Sequence, residues 1–303
     1  LKRKALRKII ITTFVFFVVF TIYMIPSKNK KDNIIINYID TKDVSVYLLN
    51  DNDQLTKVDF KVNTGKVNDI IESILSKLTI SNDATIPNGF MQLIPNDITI
   101  LDIIVDENIV SIKFSDEFFN ISLDDVEKVV ESISFSLLEL DEINGVSIYV
   151  DNDNISELYD NKFPSIITKE YGINKRMELK SFNDISKVTI FYLDSENEEY
   201  YYVPITKYVN DDREKIKIII DELSSNYVYE SNLISLLDKN IKLLDYEIKN
   251  GDMALDFDNS IFMEQEKILE EVVYSVFANY DVNNIIFKVN GKEFCKKNSK
   301  NIE

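Results

Sequence analysis

The chain has 303 residues, with 34 Lys and Arg against 52 Asp and Glu, a formal net charge of −18, and an apolar fraction of 45%. That apolar content describes folded protein, and the acidic balance excludes nucleic-acid partners, whose phosphates it would repel. There is no His and a single cysteine, Cys295. Histidine bases, the usual zinc sites, Ser-His and Cys-His nucleophiles and an internal disulfide are therefore closed, and carboxylate-only chemistry stays open.

The amino terminus carries Lys2, Arg3, Lys4, Arg7 and Lys8 and no acid, followed by an uncharged, mostly apolar run from Ile9 to Ile25 that Pro26 ends. Such a run predicts an N-terminal transmembrane helix, contacting the membrane through residues 9–25. Tyr23-Met24-Ile25-Pro26 is too bulky for a signal cleavage site, and no Cys follows for lipid attachment, so the expected form is an uncleaved single-pass anchor. More cations precede the run than follow it at Lys28, Lys30 and Lys31, which predicts a cytoplasmic amino terminus and extracytoplasmic C-terminal domains.

Beyond the anchor, Val44 to Leu49 and Leu55 to Val62 read as two strands joined by turn residues at Asn50-Asp51-Asn52-Asp53. Ile71, Ile74, Leu75 and Leu78 give one apolar helix stripe, with Asn68 as the expected amino-terminal cap. After a connection holding Pro87, Gly89 and Pro95, Ile98 to Val105 and Ile109 to Phe114 read as strands around Asp106-Glu107-Asn108. Ser122 to Asp125 resembles a capping box opening a second helix, whose buried face is Val126, Val129, Val130, Ile133, Leu137 and Leu138. Gly145 to Val150 closes the unit as a strand.

The same order then returns. Val44-Ser-Val46-Tyr47-Leu48-Leu49 recurs as Val188-Thr-Ile190-Phe191-Tyr192-Leu193, and Ile71, Ile74, Leu75 and Leu78 recur at identical spacing as Ile216, Ile219, Ile220 and Leu223. Val110/Ile112/Phe114 match Met253/Leu255/Phe257, and Val146/Ile148/Val150 match Ile285/Phe287/Val289. The predicted fold class is α+β: an N-terminal transmembrane helix followed by two repeated domains, each a mainly antiparallel sheet with two helices on one face in the order β-β-α-β-β-α-β. The expected organisation is a cytoplasmic tip and anchor over 1–30, a spacer over 31–43, a first domain over 44–151, a connector over 152–187 that partly packs on the domains, a second domain over 188–295 and a polar tail over 296–303.

Candidate sites are few. Asp151-Asn152-Asp153-Asn154 looks like the start of a calcium loop but lacks the central Gly and has Lys162 where the bidentate Glu belongs, so turn chemistry accounts for it. Asp102, Asp106, Asp116 and Glu117 are candidate paired carboxylates; Asp102 recurs as Asp245, whereas Asp106 and Asp116 become Lys249 and Asn259. Cys295, placed just past the last strand, reads as a passive thiol. Tyr200-Tyr201-Tyr202 in the second strand of the second domain is an aromatic cluster suited to partner contact. No catalytic residue, no cofactor and no metal is expected.

Ile94-Pro95, Ile100-Leu101-Asp102 and Val110-Ser-Ile112-Lys-Phe114-Ser115-Asp116-Glu117-Phe118, followed by a helix and the Val146-Ser-Ile148-Tyr-Val150-Asp151 strand, resemble the core of the GerMN domain. That domain is shared by GerM-like sporulation and spore-germination proteins, and the resemblance spans roughly residues 44–151 and 188–291. It implies a non-enzymatic scaffold or assembly role, with protein partners in a sporulation envelope complex, in the channel between mother cell and forespore. Homo-oligomer formation is an open option. The alternative is a binding module for cell-wall glycan or a small ligand, with Tyr200, Tyr201 and Tyr202 as its surface; a carboxylate-dependent wall hydrolase using Asp102 and Asp116 is the third.

Overall fold

The computed structural model describes residues 2–24, 40–196, 199–225, 233–258 and 266–298. These fall into two units, one within residues 1–39 and one from Asp40 onward.

The first unit holds helix α1 (Lys2–Met24), which covers the expected anchor except Ile25, a residue outside the described ones. Side chains are described without a break only over 11–21 of this helix. Among the described residues no helix is long and apolar enough to cross a membrane. The Thr12 hydroxyl donates to the Lys8 carbonyl at 2.6 Å and the Thr21 hydroxyl to Val18 at 2.8 Å, so both polar groups are satisfied by their own helix.

In the second unit, β1 (Thr41–Asn50) and β2 (Leu55–Asn63) form an antiparallel hairpin with Val46 opposite Val58. Its turn is built on Asn50, whose side-chain oxygen accepts from the Asn52 and Gln54 amides at 3.0 and 2.9 Å. Helix α2 (Val67–Leu78) buries Ile70, Ile71, Ile74, Leu75 and Leu78. It begins two residues earlier than expected: Lys66 is the capping position, and the Asp69 carboxylate accepts its N–H at 3.1 Å. Asn68, the expected cap, lies inside the helix and donates to the Ile103 carbonyl at 3.3 Å. Then follow β3 (Phe90–Met91), β4 (Ile100–Asp106), β5 (Ile109–Phe114), α3 (Val126–Leu138), β6 (Gly145–Val150), β7 (Asp153–Asn154), the short α4 (Ile155–Leu158) and β8 (Arg176–Glu178). Glu107 and Asn108, at φ +46° and +66°, make the two-residue turn between β4 and β5. Ahead of α3 the Ser122 hydroxyl accepts the Asp125 N–H at 3.1 Å, one half of the expected capping box.

The second copy runs β9 (Ile185–Glu196), β10 (Glu199–Asn210), α5 (Lys215–Ser224), β11 (Leu243–Lys249), β12 (Asp252–Phe257), α6 (Glu266–Asn279), β13 (Asn284–Val289) and β14 (Lys292–Asn298). Strand β14 pairs with β13 and holds Cys295 opposite Phe287, so this cysteine sits inside a strand rather than beyond the last one. The thiol is half-buried, and burial pushes its pKa up, away from nucleophilic use.

The strands do not make one sheet per copy, as the sequence suggests. The two hairpins join in a single six-stranded sheet, β3-β1-β2-β10-β8 with β9 on β10, while β4-β5-β6-β7 and β11-β12-β13-β14 form separate sheets. In these smaller sheets β5 runs parallel to β6 and β12 parallel to β13, because α3 and α6 are the crossovers between them. Nor do both helices lie on one face of a sheet. Helix α3 seals the outer edge of β1: Ser136 accepts the Tyr47 N–H at 2.8 Å and Ser132 donates to the Tyr47 carbonyl at 2.7 Å. Helix α6 repeats this on β9, where Ser275 accepts the Phe191 N–H at 2.9 Å and Asn279 bonds both the N–H and the carbonyl of Thr189. Covering an edge with side chains leaves it closed to a foreign strand.

One core charge stands out. Glu271 on α6 is fully buried; one carboxyl oxygen accepts the Leu236 N–H at 3.0 Å and the Ser235 hydroxyl at 3.3 Å, and the other has no partner among the described residues. Burial pushes its pKa up to about 8, well above the usual carboxylate range. A carboxyl raised on folding lends stability at low pH that is lost as pH rises, here from about 4.5 through about 8. Urea unfolding at pH 6 and pH 9 should therefore show wild type losing more stability than Glu271→Gln between the two. Equal losses would mean that Glu271 does not titrate in this window.

Candidate functional site: the joint between the two copies

The copies meet where β2 and β10 run antiparallel, with Lys57 opposite Tyr202. Because Val46 faces Val58 in one hairpin and its counterpart Ile190 faces Ile205 in the other, Thr56 corresponds to Val203. One step from the Lys57–Tyr202 pair these counterparts face each other, so the joint has a local pseudo-two-fold axis. Asn50 and its counterpart Asp194 also touch, with the Asn50 amide donating to the Asp194 carboxylate at 3.0 Å.

The strand pair cannot continue as a ladder, because Pro204 has no N–H. Asn174, from the connector, fills the gap. Its carbonyl oxygen accepts the Leu55 N–H at 2.9 Å, and its amide donates to the Leu55 and Pro204 carbonyls at 2.8 and 2.9 Å. It does so at φ +48°, a left-handed backbone that Asn tolerates better than most residues. Just before it, Gly172 sits at φ +85°, where a Cβ would come within 2.8 Å of Thr206 Cγ2. Only glycine lets the connector lie this close to β10. Ile173 is fully buried with Tyr47, Leu49, Leu55 and Phe135, and Lys175 is clamped by Glu127 at 2.6 Å and Glu131 at 2.8 Å.

Beside the strand pair lies a partly buried charge cluster. The Lys57 ammonium is 2.9 Å from Glu139 and 4.2 Å from the centre of the Tyr274 ring, while the Tyr47 hydroxyl donates to the other Glu139 oxygen at 2.8 Å. Burial alone would lower the lysine and raise the carboxyl. Their mutual attraction outweighs it in both, holding Lys57 above and Glu139 below their usual values. Lys57 and Glu139 belong to the first copy and Tyr274 to the second, so the cluster spans the joint. A cleft of about 340 Å³ opens over it.

The tyrosine cluster falls at this joint. Tyr201 meets Phe90 of the first copy edge-on with ring centres 4.7 Å apart. Tyr202 packs 4.8 Å from Tyr274, and its hydroxyl donates to Glu270. Tyr200 is 41% exposed, with the Lys267 ammonium 5.0 Å from its ring. Tyr201 and Tyr202 thus pack against other rings of the chain, and Tyr200 is the most exposed of the three.

Of the acidic candidates, Asp102 and Asp106 are held apart. Asp102 lies opposite Lys113 and Asp106 opposite Ile109, at the two ends of the β4–β5 hairpin, about 13 Å apart along the strand. Asp102 sits at a bulge and accepts the N–H of Ile103 at 2.9 Å; Asp245 does the same for Tyr246 at the matching bulge in β11. The recurrence of this Asp is thus a repeated edge device, which sequence spacing does not reveal. Asp116 and Glu117 begin a 3-10 turn over Asp116–Asn120. In the Asp151–Asn154 stretch, Asn152 accepts from Lys113 at 2.8 Å and Asn154 caps α4. Among the described residues no cluster of three or more Cys, Asp or Glu is placed to hold a metal ion. What the sequence reading missed is Asn174: a lone Asn in a connector carries no pattern, and only Pro204 on a strand hinted that a ladder bond needed a substitute.

Removing Asn174 would strand three backbone groups. Asn174→Leu should lower unfolding stability by about 3 kcal/mol in urea. Lys57→Met should cost about 1–3 kcal/mol by leaving the partly buried Glu139 without its ion pair, and the Lys57→Met/Glu139→Leu pair should recover most of it. A single-site loss below about 0.5 kcal/mol would put these groups outside the joint's energetics.

Comparison with known proteins identifies relatives of this architecture. A family model described as Germane, sporulation and spore germination, matches residues 45–156 and 189–295. Spore germination protein GerM of Bacillus subtilis (strain 168) is 30% identical over 223 residues, which are 68% of this chain and 60% of that protein. The matched part thus spans 60% of the length of this curated relative. The solved tandem GerMN domains of the sporulation protein GerM from Bacillus subtilis superpose with a TM-score of 0.74 at 24% identity, covering 84% of this chain and 92% of that one. At that identity the likeness is one of fold.

Proposed function

The chain belongs to the Germane family of sporulation and spore germination proteins, and from that premise we propose that it is a membrane-anchored, extracytoplasmic, non-enzymatic scaffold. It acts in sporulation or germination, in the channel complex between mother cell and forespore. The observation that carries this reading is the joint. The charged and aromatic side chains at it are committed to one another: Lys57 pairs with Glu139 and lies over the Tyr274 ring of the other copy, and Tyr201 meets Phe90 across the copies. A duplicated rigid body presenting two similar small sheets, each ended by a bulged edge strand with an exposed leucine (Leu101 and Leu244, both 51% exposed), suits the holding of protein partners at fixed spacing.

Helix α1 supports the anchoring. Its Ile11, Phe14, Phe16, Phe17 and Val19 are all more than half exposed, an apolar surface that calls for lipid around it. Thr12 and Thr21 return their hydroxyls to the backbone, as a helix in hydrocarbon requires. The cations ahead of the apolar run keep the amino terminus in the cytoplasm and set the folded body outside, in the space around the forespore.

Deleting the gene should lower the number of heat-resistant spores or their germination, with restoration by the intact gene; unchanged counts of both contradict the role. An enzymatic reporter active only outside the cytoplasm should work when fused at the carboxyl terminus. One that works only in the cytoplasm reverses the topology.

A further inference from the structure

The cleft over the joint is walled by both copies. Phe135 comes from α3, Phe191 from β9, and Tyr274 and Phe277 from α6. Its volume of about 340 Å³ is that of a small-molecule site, and such sites are mainly apolar with a few placed polar groups. The charges around it are unequal in their freedom. Glu139 is occupied by Lys57 and the Tyr47 hydroxyl, Asp43 by Lys61 at 2.9 Å, and Asp59 by the Ser45 hydroxyl at 2.6 Å. Asp141 lines the cleft as well and is not free of a partner. Lys42 and Lys169 line the same cleft; among the described residues neither has an ion-pair partner within 4 Å, although the Lys169 charge also helps to lower the Glu139 pKa. In a chain of net charge −18, aromatic walls with two ammonium groups lacking a close carboxylate select for one kind of guest.

We propose that this cleft binds a small organic anion with a flat apolar body, an aromatic carboxylate, and that the guest bridges the two copies. The ring lies among Phe135, Phe191 and Phe277, and the carboxylate meets Lys42 and Lys169. Lys57 takes no part in holding the anion, because its charge is already satisfied by Glu139. The site is independent of the scaffold reading: loss of spores on deletion together with no binding here would overturn this proposal alone.

The test is calorimetric titration of the full chain with 2-naphthoate, with neutral 2-naphthamide and inorganic phosphate as companions. Naphthoate should bind with a Kd of about millimolar or tighter, the range open to a ligand of its size. The amide should bind about tenfold more weakly, and Lys42→Gln/Lys169→Gln should lose about the same factor for naphthoate only. Phosphate alone should give no heat. Ala278→Trp, which fills the cleft from α6, should abolish binding. As a check needing no substitution, naphthoate should shift the NMR signals of residues beside both Phe135 and Phe191 in the wild-type chain. Absence of naphthoate binding, equal affinity for the amide, or shifts confined to one copy would each overturn the proposal.

Discussion

A two-stranded hairpin has two open edges, and an uncovered edge is a template for any passing strand. Each copy of the repeat makes such a hairpin, and most of the second unit's architecture follows from how its edges are closed. The outer edges of β1 and β9 are covered from within each copy by serines and an asparagine on its second helix, α3 or α6, with β3 adding a short pairing on β1. The inner edges of β2 and β10 are closed against each other. This joint turns two domains of similar pattern into one body with a continuous six-stranded sheet.

The closure is incomplete at Pro204, and the connector's position answers that defect. Gly172 allows the close approach to Thr206, Ile173 fills the apolar space beneath, and Asn174 supplies the donors and acceptor that the strand pair lacks. The Lys57–Glu139 pair beside it lies within the first copy, and the Tyr274 ring over the Lys57 ammonium is what carries this cluster across the joint.

The sequence made the period of the fold plain, because hairpins and amphipathic helices write their apolar positions at spacings of two and of three to four. The strands from Val44 to Leu49, Ile109 to Phe114 and Gly145 to Val150 and the helix face from Val126 to Leu138 lie where those spacings put them. The partition into sheets was not legible, since alternation says which face of a strand is buried and nothing about its neighbour. Ser132 and Ser136 on α3 are wholly buried because the polar groups they meet are strand backbone, which leaves no trace in the side-chain pattern. Tyr201 and Tyr202 were recognisable as contact residues, but which surface they contact depends on long-range pairing. The start of α2 was misplaced for a local reason: Asp69 caps from inside the helix, and Asn68 looked like the better cap.

The central claim is that the two copies form one body held by the β2–β10 joint. It is tested most directly by a spin-label distance across it, with Asp124→Cys in the first copy and Lys239→Cys in the second, on a Cys295→Ser background. The account predicts a single narrow distance distribution, which broadens when Asn174→Leu is added. A broad or multi-peaked distribution in the otherwise wild-type chain would contradict it.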